Sequence, residues 1–309
     1  LETLQNDLDL EIVPILASIQ NREKISILLN TWKPDTIYHA AAYKHVPIVE
    51  QNLAEGLKNN VFGTFVIAEE SIKSKVSNFV FISTDKAVRP TSVMGASKRL
   101  GEMILQALYD KKSSKEITKF SMVRFGNVLD SSGSVIPKFR KQIKDRMPIT
   151  LTHPDVSRYF MTIQEAAELV IQASAMSDGG DVFVLDMGDS VKIIDLAKKM
   201  VNLSGLKLKE ENSKEGDISI EITGLRPGEK LYEELLIGKN PIKTIHPKIF
   251  KAREDFLEWK ILNPYLVNLE KLISDNDAKK IIKIMEKLVS GYHSSAIIQD
   301  LFSKEKIEK

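Results

Sequence analysis

Short apolar runs alternate with segments of helical periodicity along the first half of the chain. The runs, rich in β-branched and aromatic residues, predict strands at residues 10–16, 36–42, 78–84 and 120–125. Apolar side chains at the spacing of one helix face predict helices at residues 23–32, 60–73 and 92–111. Nearly continuous apolar strands separated by helices are typical of a parallel sheet that is covered on both faces. The pattern therefore predicts an α/β fold with a doubly wound parallel sheet.

The second half of the chain is less regular and predicts a smaller α/β part. Thr162, followed three residues later by Glu165, forms a capping box that starts a helix over residues 162–175. Beyond it we expect a strand at 181–185, a helix at 191–203 and a strand at 218–223. The C-terminal part is rich in Lys and Glu and is expected to be helical.

Composition removes several classes of function. Among 309 residues, 44 Lys and Arg nearly balance 42 Asp and Glu, so no electrostatic footprint for nucleic acid is present. The chain has no cysteine, which excludes disulfides and thiolate catalysis. Its five histidines show no metal-ligand spacing, and we assign no metal. No uncharged run is long enough to suggest a membrane span.

The start of the chain lacks the turn with which such a sheet normally begins. No G-x-x-G-x-x-G occurs, and the chain opens at Leu1 with residues that read like the tail of a helix. We therefore expect a fragment that lacks the first strand and its glycine-rich turn. Because that turn supplies backbone N–H groups to a dinucleotide pyrophosphate, we expect the fragment alone to bind NAD poorly and to be inactive.

Polar residues after the predicted strands carry the candidate chemistry, since ligands bind beyond the carboxyl ends of parallel strands. HAAAYKHVP ends the second strand, and FVFISTDKAVRPTSVMGASK spans the third strand and the following helix. RFGNVLDSSGSVIPKF, SRYFMTIQEA and GLRPGEKLYEELL follow in order. Over about residues 10–255 the chain resembles the extended short-chain dehydrogenase/reductase superfamily. Within it, the chain is most similar to nucleotide-sugar 4,6-dehydratases of the polysaccharide-biosynthesis CapD-like family.

This resemblance implies a Rossmann-like domain, NAD as cofactor and a UDP-sugar as substrate. The implied reaction converts UDP-N-acetylglucosamine to a UDP-2-acetamido-2,6-dideoxy-4-keto-hexose. Asp85 would be the acid that protonates the departing C6 hydroxyl, and Lys86 the base that takes the C5 proton. Thr84 would bind the C4 hydroxyl. To act as a base, Lys86 needs a lowered pKa, which burial could supply.

One departure from the superfamily concerns its usual Tyr-x-x-x-Lys element. Here Met94 holds the tyrosine position and Lys98 follows one helical turn later. A thioether cannot take a proton, so either the enzyme is inactive or Thr84 or a water replaces the tyrosine. We favour the second reading, with Met94 lining the pocket and Lys98 holding the nicotinamide ribose.

The remaining candidate residues divide between the cofactor and the substrate. Ser18 and Ile19 would face the adenine, His39 is expected to be a packed strand histidine, and small residues let the cofactor approach the backbone. The cofactor-side candidates are Ser18, Ile19, His39, Ala40, Ala41, Asn60 and Lys98. Arg226 would clamp the diphosphate and Glu229 would accept ribose hydroxyls. The substrate-side candidates are Lys44, Asn127, Val135, Arg226 and Glu229.

The resemblance also implies how the chain is organised. We expect residues 1–126 and about 162–188 to bind NAD, and about 127–161 and 189–309 to form the substrate-binding subdomain with C-terminal helices. A homo-oligomer is expected. Long family members carry an N-terminal membrane region, so the parent protein would be anchored with this domain on the cytoplasmic face. The alternatives are a UDP-sugar 4-epimerase or reductase, against which Asp85 and Lys86 argue, and a non-catalytic NAD-binding regulator.

Overall fold

The computed structural model describes residues 11–111, 118–209, 216–234, 241–294 and 298–302. The strands are β1 (Thr36–His39), β2 (Asn78–Ile82), β3 (Lys119–Arg124), β4 (Asn127–Val128), β5 (Ile149–Leu151), β6 (Ser157–Arg158), β7 (Phe160–Met161), β8 (Asp181–Leu185), β9 (Val191–Lys192), β10 (Ile220–Ile222), β11 (Ile242–Lys243) and β12 (Ile249–Ala252).

The helices lie between these strands and after the last of them. They are α1 (Arg22–Trp32), α2 (Val46–Gln51), α3 (Leu53–Leu57), α4 (Thr64–Lys73), α5 (Val93–Lys111), α6 (Val135–Lys144), α7 (Ile163–Ala175), α8 (Ile193–Leu203), α9 (Trp259–Ser274) and α10 (Ala278–Leu288). A π-helical turn, Lys58–Gly63, joins α3 to α4, and a 3₁₀ turn, Asp85–Ala87, follows β2.

A six-stranded sheet in the order β1-β2-β3-β8-β12-β11 forms the centre of the molecule. The strands β1, β2, β3 and β8 run parallel, and β12 and β11 complete the sheet antiparallel. Successive side chains of β2 point to opposite faces, so Phe79 and Phe81 pack under α5 while Val80 packs with α7 on the other side. The predicted α/β fold with a mainly parallel sheet is confirmed.

The strand predicted at residues 10–16 is wrong for its described part. Residues 11–18 have no regular secondary structure, and Leu16 is fully exposed. A strand depends on a hydrogen-bonded neighbour as much as on its own residues, and among the described residues no strand pairs with this segment. By contrast, Thr162 accepts the predicted capping hydrogen bond from the Glu165 amide at 3.1 Å.

A separate core lies in the part of the chain that the resemblance assigns to the substrate. Phe139 and Ile143 of α6 pack with Leu151 of β5, Val201 of α8 and Ile218. Three two-stranded sheets, β5-β10, β4-β7 and β6-β9, hold the connecting segments. The smaller α/β unit is thus supported by its own apolar cluster.

The C-terminal segment packs with the main sheet. β11 and β12 extend the main sheet, and α9 and α10 pack through Leu266, Leu269 and Met285 on the core that contains α5. As a result, α5 is buried around its whole circumference from Val93 to Leu108. The elements described between residues 241 and 294 therefore lie with the core of the six-stranded sheet, and the division of the chain into an NAD-binding and a substrate-binding part stays a prediction. Of the helices described, none is long and apolar enough to cross a bilayer.

Candidate active site

A cavity of about 490 Å³ opens beyond the carboxyl ends of β1, β2 and β3. It is the place where an open parallel sheet binds its ligands. Predicted residues from six separate segments meet here. Those that line the cavity are Ala40, Lys44, Thr84, Lys86, Met94, Lys98, Asn127, Val135, Arg226 and Glu229.

The backbone fixes the Thr84–Lys86 triplet against β3. The Asp85 amide donates to the Phe125 carbonyl oxygen at 3.1 Å, and the chain then turns into the 3₁₀ segment. On the other side α5 approaches so closely that a Cβ at Gly95 would overlap the Lys86 carbonyl oxygen. Glycine is therefore required in the VMGASK sequence for packing, independently of any chemistry.

The side chains of the triplet form a hydrogen-bonded group around one carboxylate oxygen. Thr84 Oγ1 donates to Asp85 Oδ1 at 2.9 Å, and Lys86 Nζ donates to the same oxygen at 3.1 Å. The Asp85 side chain is 1% exposed. Its other oxygen, Oδ2, is buried without a hydrogen-bond partner in the part of the chain that the structure describes, and faces Gly126. Asp85 thus has one oxygen held by Thr84 and Lys86 and one without a protein partner among the described residues.

Lys86 carries more negative charge around it than the sequence indicated. Its Nζ also lies 3.3 Å from Glu233 Oε1 and donates to Asn127 Oδ1 at 3.4 Å. Burial acts to lower the pKa of Lys86, but the Asp85 and Glu233 carboxylates outweigh it, and the pKa is raised. The predicted lowering of the Lys86 pKa is therefore wrong for the protein without substrate, where Lys86 is an ammonium.

Met94 and Lys98 lie one turn apart on α5 and both line the cavity, as their spacing predicts. Lys98 Nζ donates to the Ile82 carbonyl oxygen at 2.7 Å and sits 4.4 Å from the centre of the Phe81 ring. Burial lowers the pKa of Lys98 to about 8, against a smaller raising effect of Glu102. Met94 is almost fully buried.

Several residues assigned to the cofactor lie apart from this cavity. The His39 ring is buried between Phe79 and Phe81, with Nε2 2.8 Å from Thr64 Oγ1. Burial and the neighbouring Lys98 lower the pKa of His39 to about 3, so the ring is neutral. This is a packed strand histidine, as predicted.

Asn60, Ser18, Ile19 and Ala41 contact other parts of the protein and do not line the cavity. Asn60, in the π-helical turn, bonds both the amide and the carbonyl of Tyr43 and reaches Ser97 of α5. It therefore holds the loop after β1 in place. Ser18 is exposed and accepts from the Gln20 amide, and Ile19 contacts Gly63. Ala41 accepts from Asn59.

The substrate side of the cavity contains an ion-pair group. Glu229 accepts from Thr152 at 2.9 Å and from Arg158 at 3.3 Å through Oε1, and from the Arg226 amide through Oε2. The Arg226 guanidinium is exposed. Burial, together with Arg226, lowers the pKa of Lys138, which lines the same cavity.

Sequence reasoning missed three charged residues at this site. Arg158, Lys138 and Glu233 all lie within motifs quoted for the resemblance. The motifs indicate that these segments belong to the site. The spacing of residues within each motif does not distinguish these three side chains from their neighbours.

Comparison with known proteins agrees with this architecture. Residues 1–254 match the family described as "Polysaccharide biosynthesis protein". The chain belongs to this family.

Capsular polysaccharide biosynthesis protein CapD of Staphylococcus aureus is 49% identical over 280 residues, which cover 90% of this chain and 44% of that protein. The probable polysaccharide biosynthesis protein EpsC of Bacillus subtilis is also 49% identical, over 83% of this chain and 41% of its own length. The chain thus spans less than half the length of these two relatives.

Solved structures of this fold are similar as well. Pen from Bacillus thuringiensis superposes with a TM-score of 0.71 at 31% identity, and the match covers 86% of each chain. DesIV from Streptomyces venezuelae, a dTDP-glucose 4,6-dehydratase solved with NAD, matches with a TM-score of 0.63 at 17% identity, over 74% of this chain and 72% of its own. The latter likeness shows the fold alone.

Proposed function

We propose that this chain is the catalytic part of an NAD-dependent nucleotide-sugar 4,6-dehydratase that acts on UDP-N-acetylglucosamine. The observation that carries the proposal is the triplet at the end of β2. Asp85 has one buried oxygen without a partner, and Lys86 and Thr84 share the other oxygen. Elimination of water across two carbons needs an acid and a base side by side.

The residues around the cavity fit the nicotinamide half of NAD. Lys98 presents an ammonium to the cavity with one hydrogen bond to protein, and Ala40 and Ala42 leave space at the end of β1. An ammonium donor suits ribose hydroxyls. When bound, NAD would accept a hydride from C4 of the sugar and return it at C6. Two solved structures of similar fold that hold NAD support this assignment.

The side chains of the triplet would divide the proton transfers between them. Thr84 would orient the C4 hydroxyl and pass its proton to the Asp85 carboxylate, to which Thr84 Oγ1 is hydrogen-bonded at 2.9 Å. Lys86, which must first lose the proton that it carries in the free protein, would take the proton from C5. Asp85 would give its proton to the C6 oxygen as the C6–O bond breaks and water leaves, and Lys86 would return a proton to C5 as the hydride returns to C6. The hydrogen bonds within the triplet hold the three groups together, and each transfer also requires the substrate atom to lie within hydrogen-bond distance.

A 4-epimerase is the second candidate, since UDP-glucose 4-epimerase of Rickettsia canadensis is 38% identical over 210 residues, which cover 68% of this chain and 58% of that protein. Epimerisation needs no acid at C6, and Met94 cannot replace a tyrosine as the proton acceptor. Homo-oligomer formation and a membrane anchor on the parent protein stay predictions.

The test uses the full-length protein with NAD and UDP-N-acetylglucosamine in heavy water. We expect a product lighter by one water, with deuterium at C5. Lys86→Met should reduce turnover by roughly 10²–10⁴-fold and leave binding of the UDP-sugar nearly intact. Asp85→Asn should lose turnover similarly but preserve part of the C5 exchange.

Two outcomes would contradict the proposal or its assignments. A C4 epimer of unchanged mass would favour the epimerase instead. If Lys86→Met exchanged the C5 hydrogen at the wild-type rate and Asp85→Asn did not exchange it, the assignment of Asp85 as the acid and Lys86 as the base would be reversed.

A further inference from the structure

Glu233 is a buried carboxylate that the reaction as described does not use. Its side chain is 2% exposed, although it lies in an irregular segment far from β2 in sequence. Oε1 lies 3.3 Å from Lys86 Nζ and 3.8 Å from Arg158 Nε. Oε2 is buried and has no hydrogen-bond partner in the ranges described. A half-satisfied buried carboxylate is costly to keep, which suggests a function.

Three segments of the chain contact the Lys86 amine. Asp85 holds Nζ from the 3₁₀ turn, Glu233 from the segment after the LRPGEK sequence, and Asn127 from β4. A side cavity of about 230 Å³, lined by Lys86, Arg158 and Glu233, adjoins the main cavity on this side. Lys86 lines both cavities, whereas Glu233 lines the side cavity and not the main one, so Glu233 contacts the amine from the side cavity.

We propose that Glu233 is a positioning residue for Lys86 in the elimination, which rests on the proposed function. Its carboxylate fixes the amine beside Asp85 and sets the charge that Lys86 carries before substrate binds. It acts through Lys86 and does not itself touch the sugar.

The charges around Lys86 determine what the loss of Glu233 would do. Asp85 and Glu233 stabilise the ammonium, whereas Arg158 opposes it. Without the Glu233 charge, one of the two stabilising carboxylates is lost, and Lys86 gives up its proton at a lower pH. The other ionisable groups that line the side cavity are Lys44, His45, Arg226, Glu229 and Lys230.

The experiment compares Glu233→Gln with Glu234→Gln in the full-length protein. Glu234 is the neighbouring carboxylate, but its side chain is 41% exposed and pairs with Arg89 and Lys230 rather than with Lys86, so it is a matched control. In Glu233→Gln we expect the limb on which kcat rises with pH to move to lower pH by about one unit. KM should change little, and Glu234→Gln should keep the wild-type profile. A merely structural role would lower kcat without moving the limb.

An unchanged limb in folded Glu233→Gln would overturn the proposal. If that variant fails to fold, Glu233→Asp decides. Aspartate keeps the negative charge, but its side chain is one methylene shorter and places the carboxylate farther from the Lys86 amine. We therefore expect kcat to fall about tenfold at constant KM, because the amine is no longer held in place. Wild-type kcat in Glu233→Asp would equally overturn the proposal.

A second measurement separates this proposal from the proposed function. NMR titration of the Lys86 amine, assigned by its loss in Lys86→Met, needs no turnover. If the wild type forms no dehydrated product, the proposed function fails. The titration then still tests Glu233, because an equal Lys86 titration in wild type and Glu233→Gln would show that Glu233 does not set the charge on Lys86.

Discussion

Lys98 shows how a single buried amine can limit the pH range of a site. Burial lowers its pKa to about 8, so the amine is charged below that pH and neutral above it. The ammonium is the form that donates strongly to ribose hydroxyls. We expect NAD binding to the full-length protein, measured by calorimetry, to weaken severalfold as the pH rises from 7 to 9. Lys98→Arg, which stays charged throughout, should bind with a flat pH dependence. Equal pH dependence in both proteins would contradict this assignment.

Residues close together in sequence were predictable at this site, and residues brought together by the fold were not. Thr84, Asp85 and Lys86 are contiguous, and Met94 and Lys98 share one helix face, so their proximity follows from local geometry. The approach of Glu233 and Arg158 depends on how a distant irregular segment packs. The charge on Lys86 depends on that approach, which is why its pKa was predicted in the wrong direction.

At the scale of elements, a buried ionic cluster connects α5, β3 and the chain after β12. Arg124, fully buried, bonds both oxygens of Glu102 through Nε and Nη2 and reaches Glu254 at 2.6 Å through Nη1. Ser83 Oγ, beside Thr84, donates to Glu102 at 2.6 Å. The cluster therefore supports the strand end that carries the triplet.

Breaking this cluster should destabilise the fold strongly. Arg124→Met removes one of the two buried cations that pair with Glu102 and Glu254 and leaves only Arg99, and we expect the free energy of unfolding in urea to fall by about 3–5 kcal/mol. Adding Glu102→Gln removes one of the two carboxylate charges of the cluster. The double variant should therefore be less destabilised than the sum of the effects of the two single variants. Simple additivity would show that the two side chains are not coupled.

Elements with their own periodicity were predicted well. The strand over Asp181–Leu185 matches because its continuous apolar run is buried on both faces of the sheet, and the helix over Ile163–Ala175 matches because its apolar side chains share one buried face. The prediction of a strand at residues 10–16 was wrong because apolar side chains alone do not show whether a neighbouring strand is present for backbone pairing.

At the scale of the whole molecule, the C-terminal helices belong to the main core. We expect Leu269→Ala, at a fully buried position of α9, to lower the free energy of unfolding by about 2–5 kcal/mol. Val267→Ala lies on the same helix but is 61% exposed, and should change it by less than about 0.5 kcal/mol. Similar losses in both variants would mean that α9 does not pack on the core as described.

The π-helical turn Lys58–Gly63 has a consequence for the spacing of the chain. A π turn holds one residue more than an α turn, and here that extra residue sets the rotation at which Asn60 meets the loop after β1. Deleting one residue would allow a regular helix but rotate everything after it by roughly 100°, and Asn60 would no longer reach Tyr43. Backbone length, as well as the identity of Asn60, is therefore constrained in this segment. A homologue could replace most of the other residues of this turn and keep the contact between Asn60 and the loop after β1, whereas deletion of one residue would break that contact.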